Sequence, residues 1–113
     1  MKYIVAIIQP AKLNDVLDAL ERIDVLLVTV TNVLGRGRQK GVAEVYRGHK
    51  EIGRLLHKVK LEIAVNESFV PPVIEAIRSS AHSGAIGDGK IFVLDLEQSV
   101  RIRTGETGPV SIG

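Results

Sequence analysis

Residues 2–9, KYIVAIIQ, form a run of β-prone side chains in which both alternating sets are apolar: Tyr3, Val5 and Ile7 in one set, Ile4, Ala6 and Ile8 in the other. Successive side chains of a strand point to opposite faces. Such a strand therefore needs cover on both sides. Residues 25–34, VLLVTVTNVL, read as a second strand of the same kind. Between them, Leu13, Val16, Leu17, Leu20 and Ile23 make the apolar stripe of an amphipathic helix over residues 12–23, with Asn14, Asp15, Asp18, Glu21 and Arg22 on its outer side. One helix layer covers one face of a sheet. The chain has 113 residues, enough for about one domain of the usual 100–150 residues. A second copy of the same chain is the simplest cover for the other face.

The remainder repeats the alternation of strand and helix. In residues 57–65, HKVKLEIAV, the residues Val59, Leu61, Ile63 and Val65 face one way and Lys58, Lys60, Glu62 and Ala64 the other. Residues 69–82 are predicted to be a second helix with Val70, Val73, Ile74, Ile77 and Ala81 as its apolar stripe. Ser68 is expected to be its N-cap, and Pro71 and Pro72 fall in the first turn, where helix N–H groups have no partner in any case. SGAIGDG at 83–89 is a glycine-rich turn, KIFVLDL at 90–96 a fourth strand, and 99–104 a short alternating, extended piece. The order βαββαβ predicts an α+β, ferredoxin-like fold: an antiparallel sheet with two helices on one face.

Residues 35–54, GRGRQKGVAEVYRGHKEIGR, break the pattern. They hold five of the eleven glycines and few consecutive apolar positions, and read as a long exposed loop. A loop of this length in a small domain is usually functional. Three clusters could bind an anion. Gly35-Arg36-Gly37-Arg38-Gln39-Lys40-Gly41 combines pliable backbone with cations, but Lys40 stands where a dinucleotide fingerprint has its third glycine. Gly84-Ala85-Ile86-Gly87-Asp88-Gly89-Lys90-Ile91 satisfies GxxxxGK, yet it has Ile91 where a P-loop has Ser or Thr and runs from helix into strand. It is a run of backbone N–H groups ending in a lysine, which suits phosphate; the same residues would also serve as a helix C-cap and tight turn. Arg101 and Arg103, two apart on an extended segment, would point the same way. Brought together, the three clusters would form a nucleoside triphosphate pocket.

Composition narrows the class. The chain has no cysteine, which excludes disulfides, thiolate metal sites and thiol catalysis. A net charge of +2 and only four aromatic residues (Tyr3, Tyr46, Phe69, Phe92) argue against a nucleic-acid binder. No apolar run approaches the ~20 residues of a membrane span, and no signal peptide is evident. His49, His57 and His82 lack metal-ligand spacing. No nucleophile stands beside an evident base, and Glu62 and Asp88 read as hydrogen-bond acceptors or turn formers. A ligand-binding module is favoured over an enzyme.

The chain resembles the PII nitrogen-regulatory signal proteins along nearly its whole length. The resemblance rests on TVTNVLGRGRQKG at 29–41, VYRG at 45–48, KVKLEI at 58–63, GAIGDGKIFV at 84–93 and VRIRTGE at 100–106. It implies one PII-like domain over residues 1–113, with a T-loop at about 36–55, a phosphate loop at about 82–90 and a C-terminal loop at about 99–113. It implies a cytoplasmic homotrimer whose sheets line the interior, and ATP or ADP in the clefts between subunits. Thr29, Glu62 and Ala64 would lie near adenine and ribose, with Gly37 in the same site. Gly87, Asp88, Gly89 and Lys90 would wrap the phosphates, and Arg38, Arg101 and Arg103 would bind them from another direction. With ATP and Mg²⁺, 2-oxoglutarate would bind at the base of the T-loop through Gln39, Lys40, Gly41 and Lys58, Gln39 also reaching the metal. Partners would be an ammonium channel, through Arg47, or a nitrogen-metabolism enzyme or regulator; the protein would meet a membrane only through a channel.

The sequence departs from the family pattern at several places. Gln9 and Ala11 replace a lysine and a phenylalanine common in the family, and Ala85 a lysine beside the phosphate loop. Glu51 and His49 stand where many relatives carry a modifiable tyrosine or serine, so neither uridylylation nor serine phosphorylation is expected there. Rival readings are a paralogue sensing adenine nucleotides for a different transporter or enzyme, a phosphotransferase on the same fold, and an RNA-binding ferredoxin-like domain.

Overall fold

The computed structural model describes residues 1–37, 45–46, 49–50 and 54–113. In chain order the elements are β1 (Lys2–Ile8), α1 (Leu13–Arg22), β2 (Thr29–Gly35), β3 (Val45–Tyr46), β4 (His49–Lys50), β5 (Leu56–Val65), α2 (Val70–Ala81) and β6 (Gly89–Asp95). The main sheet has the antiparallel order β2-β5-β1-β6. Hence β1 and β5, the strands richest in apolar side chains, are central. This is the ferredoxin-like arrangement expected from the sequence.

The core lies between one sheet face and the two helices. Ile4, Ala6 and Ile8 of β1 and Val59, Leu61, Ile63 and Val65 of β5 are buried against Val16 and Leu20 of α1 and Val73, Ile77 and Ala81 of α2. These are the predicted alternating and helical positions. Each full burial of a large aliphatic side chain is worth about 1.5–3 kcal/mol, so this layer fixes the register. On the opposite face Tyr3, Val5 and Ile7 of β1 remain partly exposed. Phe92 and Leu94 of β6, opposite Val5 and Tyr3, are each 49% exposed. A single chain thus leaves its second apolar sheet face open among the described residues.

Four expectations are corrected. The second strand covers 29–35 rather than 25–34. After α1, Asp24 adopts a left-handed backbone (φ 62°) and the Val25 N–H bonds back to Leu20, so the chain turns sharply and only Val25 of the 25–28 stretch is buried. Ser68 does not cap the second helix: it sits inside a 3₁₀ turn, Glu67–Phe69, which leads directly into α2 without a side-chain cap. Pro71 and Pro72 do fall in the first turn. Residues 99–104 are not an extended strand, because Val100 bridges to Thr107 and the segment between them folds back as a turn. Within the long connection between β2 and β5, β3 and β4 pair as a two-stranded antiparallel ribbon where the sequence suggested loop alone.

Candidate functional site

The glycine-rich connection from α2 to β6 is held in shape by its own acid. The Ser83 hydroxyl and N–H (2.8 Å) and the Gly84 N–H (3.0 Å) all donate to the Asp88 carboxylate. The Ser83 hydroxyl bond first, then its N–H, pull the Asp88 pKa from an ordinary 3.8 down to about 2. Gly84, Gly87 and Gly89 have φ of 87°, 102° and 106°, a region that side chains rarely enter. The run is thus a glycine turn organised by Asp88, and its carboxylate acts as the turn former expected of it. The helix C-cap is His82, with extended backbone, so the glycines do not themselves terminate α2.

Strand register brings further groups to this end of the sheet. Ile8 lies opposite both Val59 and Gly89. The next residue, Gln9, is therefore flanked by Lys58 and the glycine loop. Lys58, buried to 9% exposure, donates to the Gly87 carbonyl at 3.2 Å, and burial lowers its pKa. Lys90, on β6, lies opposite Ile7, which lies opposite Lys60. One row further along, Glu62 lies opposite Val5 and Thr29; beyond it Ala64 lies opposite Tyr3. Thr29, Glu62, Ala64, Lys58 and Lys90 therefore share the open sheet face. Tyr3 donates its hydroxyl to Glu62, which, aided by Lys60 at 3.6 Å, holds that carboxylate below its ordinary range. Ala64 also borders an apolar cavity of ≈ 400 Å³ lined by Leu26, Leu27, Phe69 and Ile112.

The two C-terminal arginines are not brought to the glycine loop within one chain. The tail leaves the far end of β6, where the Leu96 N–H bonds to Met1, and docks on Asn66 through Pro109. A seven-residue strand separates it from the loop, about 20 Å at 3.3 Å per residue. Arg101 is engaged by Glu106 (2.8 Å) and by the carbonyls of Val110 and Gly113 (3.1 and 3.0 Å). Arg103 lies exposed in the turn. Among the described residues neither the Arg103 guanidinium nor the Lys90 ammonium makes a side-chain hydrogen bond or ion pair. Gly37 is exposed, and among the described residues nothing lies within 4 Å of where its Cβ would stand. Arg38, Gln39, Lys40, Gly41 and Arg47 lie outside the described residues. Among the described residues no trio of His, Asp or Glu side chains is grouped to hold a metal ion, and no helix is long and apolar enough to cross a membrane.

Sequence reasoning missed the Gln9 contact to Gly87, the Tyr3–Glu62 bond and the tail contacts of Arg101. Strand parity was the available signal for the first two: Tyr3 and Gln9 share the Ile7 face, as Glu62 and Lys58 share theirs. The tail contacts had no such signal, because the segment is irregular.

Comparison with known proteins settles the family. Residues 1–106 match the family model described as nitrogen regulatory protein P-II. The chain belongs to the P-II family. It is 50% identical to the nitrogen regulatory protein GlnK1 of Methanosarcina mazei, across 99% of this chain and 97% of that one. It is 52% identical to the nitrogen regulatory protein P-II of Bradyrhizobium diazoefficiens, across 96% of both chains. It is also 52% identical to the nitrogen regulatory protein P-II 2 of Methanothermobacter thermautotrophicus, across 99% of this chain and 97% of the relative. P-II membership agrees with the motifs and with the four-stranded α+β architecture.

Proposed function

We propose that this P-II protein is a cytoplasmic, non-catalytic nitrogen sensor that reads ATP against ADP, together with 2-oxoglutarate, and reports through its T-loop. The observation that carries the reading is the continuous patch on the open sheet face. It runs from Ala64 past Glu62 and Thr29 to Lys90 and the glycine loop. The row of Ala64 lies four residues along β5 from the row of Lys60 and Lys90, about 14 Å at 3.4 Å per residue. An extended nucleoside triphosphate spans such a distance, base at the apolar end and phosphates at the loop. Lys90 and Arg103, without partners among the described residues, are suited to phosphate oxygens.

Because Arg101 and Arg103 sit at the other end of the sheet from the loop, they would reach the phosphates of a neighbouring copy. The uncovered apolar face supports the same homotrimeric reading. Magnesium would be held by phosphate and 2-oxoglutarate oxygens together with Gln39; the Asp88 carboxylate is already committed to Ser83 and Gly84. Mg²⁺ keeps few protein ligands when phosphates are present. Lys58 would pair the distal carboxylate of 2-oxoglutarate, and backbone N–H groups of Lys40 and Gly41 would complete that site beside Gly37 and Arg38.

Signalling would then be a population shift: each ligand combination binds one T-loop arrangement better than another. Arg47, a long cation, would plug an ammonium channel, with an enzyme or regulator of nitrogen metabolism as the other class of partner. With no acceptor at Glu51 or His49, the loop would report through ligands alone.

The test is ATP titration of Lys90→Ala and Arg103→Ala, each expected to weaken binding by about 1.5–3 kcal/mol, the range for charged hydrogen bonds. Unchanged affinity in both would remove the pocket. Channel capture should occur with ADP and fail with Mg-ATP plus 2-oxoglutarate; capture indifferent to the ligands would remove the partner.

A further inference from the structure

The glycine loop is fastened at two points, and only one of them belongs to the loop itself. At its start, Ser83 and Gly84 are bound to Asp88. At Gly87, where φ is 102°, the carbonyl oxygen accepts two side-chain donors from outside the loop: Gln9 Nε2 at 2.7 Å and Lys58 Nζ at 3.2 Å. Gln9 continues the extended backbone of β1 (φ −68°, ψ 138°), and Pro10 follows it in a 3₁₀ turn, so its side chain leaves a fixed backbone on the Ile7 face. Register places it between Lys58 and Asp88.

The two donors differ in charge. Lys58 carries an ammonium, which an acidic ligand at this end of the sheet would draw away. The Gln9 amide is neutral and offers such a ligand no charge to attract. Loss of Lys58 to a ligand would leave a two-donor acceptor with one donor, and Gln9 supplies it at the shorter distance.

We infer that Gln9 is a positioning residue for the phosphate loop, holding Gly87 in place whether or not Lys58 is engaged elsewhere. The inference deepens the nucleotide-sensing reading above and rests on it for its binding consequence. Its structural half stands alone.

The experiment compares the full-length unmodified chain with Gln9→Met, which keeps length and removes the donor, and Gln9→Lys, which restores one. Backbone amide exchange over residues 84–90 is followed by mass spectrometry without ligand, and ADP affinity by calorimetry. Removal of one hydrogen bond should speed exchange of the loop by roughly 3- to 10-fold and weaken ADP by a similar factor. Gln9→Lys should return the exchange to within about 2-fold of the unmodified chain, because its donor occupies the same acceptor. Exchange over 13–22 and 70–81 serves as the control and should not change. Gln9→Ala, with the same expected loop exchange as Gln9→Met, stands in if the methionine variant does not fold. Loop exchange unchanged in the donor-less variant, or as fast in Gln9→Lys as in Gln9→Met, would overturn the inference. Failure of the unmodified chain to bind ADP would overturn the nucleotide reading instead, while the exchange comparison would still decide the role of Gln9.

Discussion

Replacing Gly89 with alanine should damage both the fold and the glycine loop, and the structure sets the size of the effect. A Cβ built at Gly89 would lie 1.7 Å from the Ile7 carbonyl oxygen, 2.8 Å from its carbon and 3.3 Å from the Ile8 Cα. All three are backbone atoms of β1, a central strand paired on both sides, so none can swing away as a side chain would. The residue also has φ 106°, outside the range of ordinary side chains. A sparsely populated backbone costs about 1–3 kcal/mol, and overpacking about 1–3 kcal/mol more. Gly89→Ala should therefore lose about 2–6 kcal/mol, a large part of the roughly 5–15 kcal/mol of a typical domain. Urea unfolding at a fixed protein concentration measures it, and the fixed concentration matters because an oligomer's stability depends on it. A neighbouring control, Ile86→Ala, removes a side chain that is 72% exposed and should change stability by less than about 0.5 kcal/mol. A loss below about 1 kcal/mol in Gly89→Ala would refute the argument that β1 and the loop meet at van der Waals limits.

Asp88 should titrate at about 2, against an ordinary 3.8, in a carboxyl-detected NMR titration, and Ser83→Ala should raise that value towards the ordinary one. Since the folded pKa is depressed, its stabilising contribution is complete above 3.8 and is lost as pH falls through that value towards 2. Leu61, fully buried at the centre of the helix-facing layer, should cost about 2–5 kcal/mol when replaced by alanine, read from chemical denaturation. Tyr3→Phe should raise the Glu62 pKa, because the phenolic hydroxyl is the main cause of its depression.

Element types were legible in the sequence where one face of each element is apolar. The alternation Val59, Leu61, Ile63, Val65 and the stripe Val16, Leu20, Val73, Ile77 appear in the structure as the buried layer. The same pattern failed at 25–28, since Val25, Leu26 and Leu27 are β-prone whether or not they pair, and the deciding event is the left-handed turn at Asp24. Ser68 misled because a capping residue is recognised by composition, whereas a 3₁₀ turn over Glu67–Phe69 supplies the helix start here. The residues of the candidate site were legible by type and by resemblance, but their grouping was not. Only the register reveals that Lys58, Gln9 and Gly87 meet at one sheet end, and only the course of the tail reveals that Arg101 and Arg103 lie at the other. Long-range pairing of this kind leaves no local signature, so the amino-acid order alone left the three candidate clusters unjoined.

The central claim is that nucleotide and 2-oxoglutarate are read together at the sheet end where Lys58 meets the glycine loop. Calorimetric titration of 2-oxoglutarate into the protein, with and without saturating Mg-ATP, tests it most directly. The account predicts binding only when Mg-ATP is present, and its loss in Lys58→Ala. Tight binding of 2-oxoglutarate without nucleotide, or binding that survives the loss of the Lys58 ammonium, would contradict it.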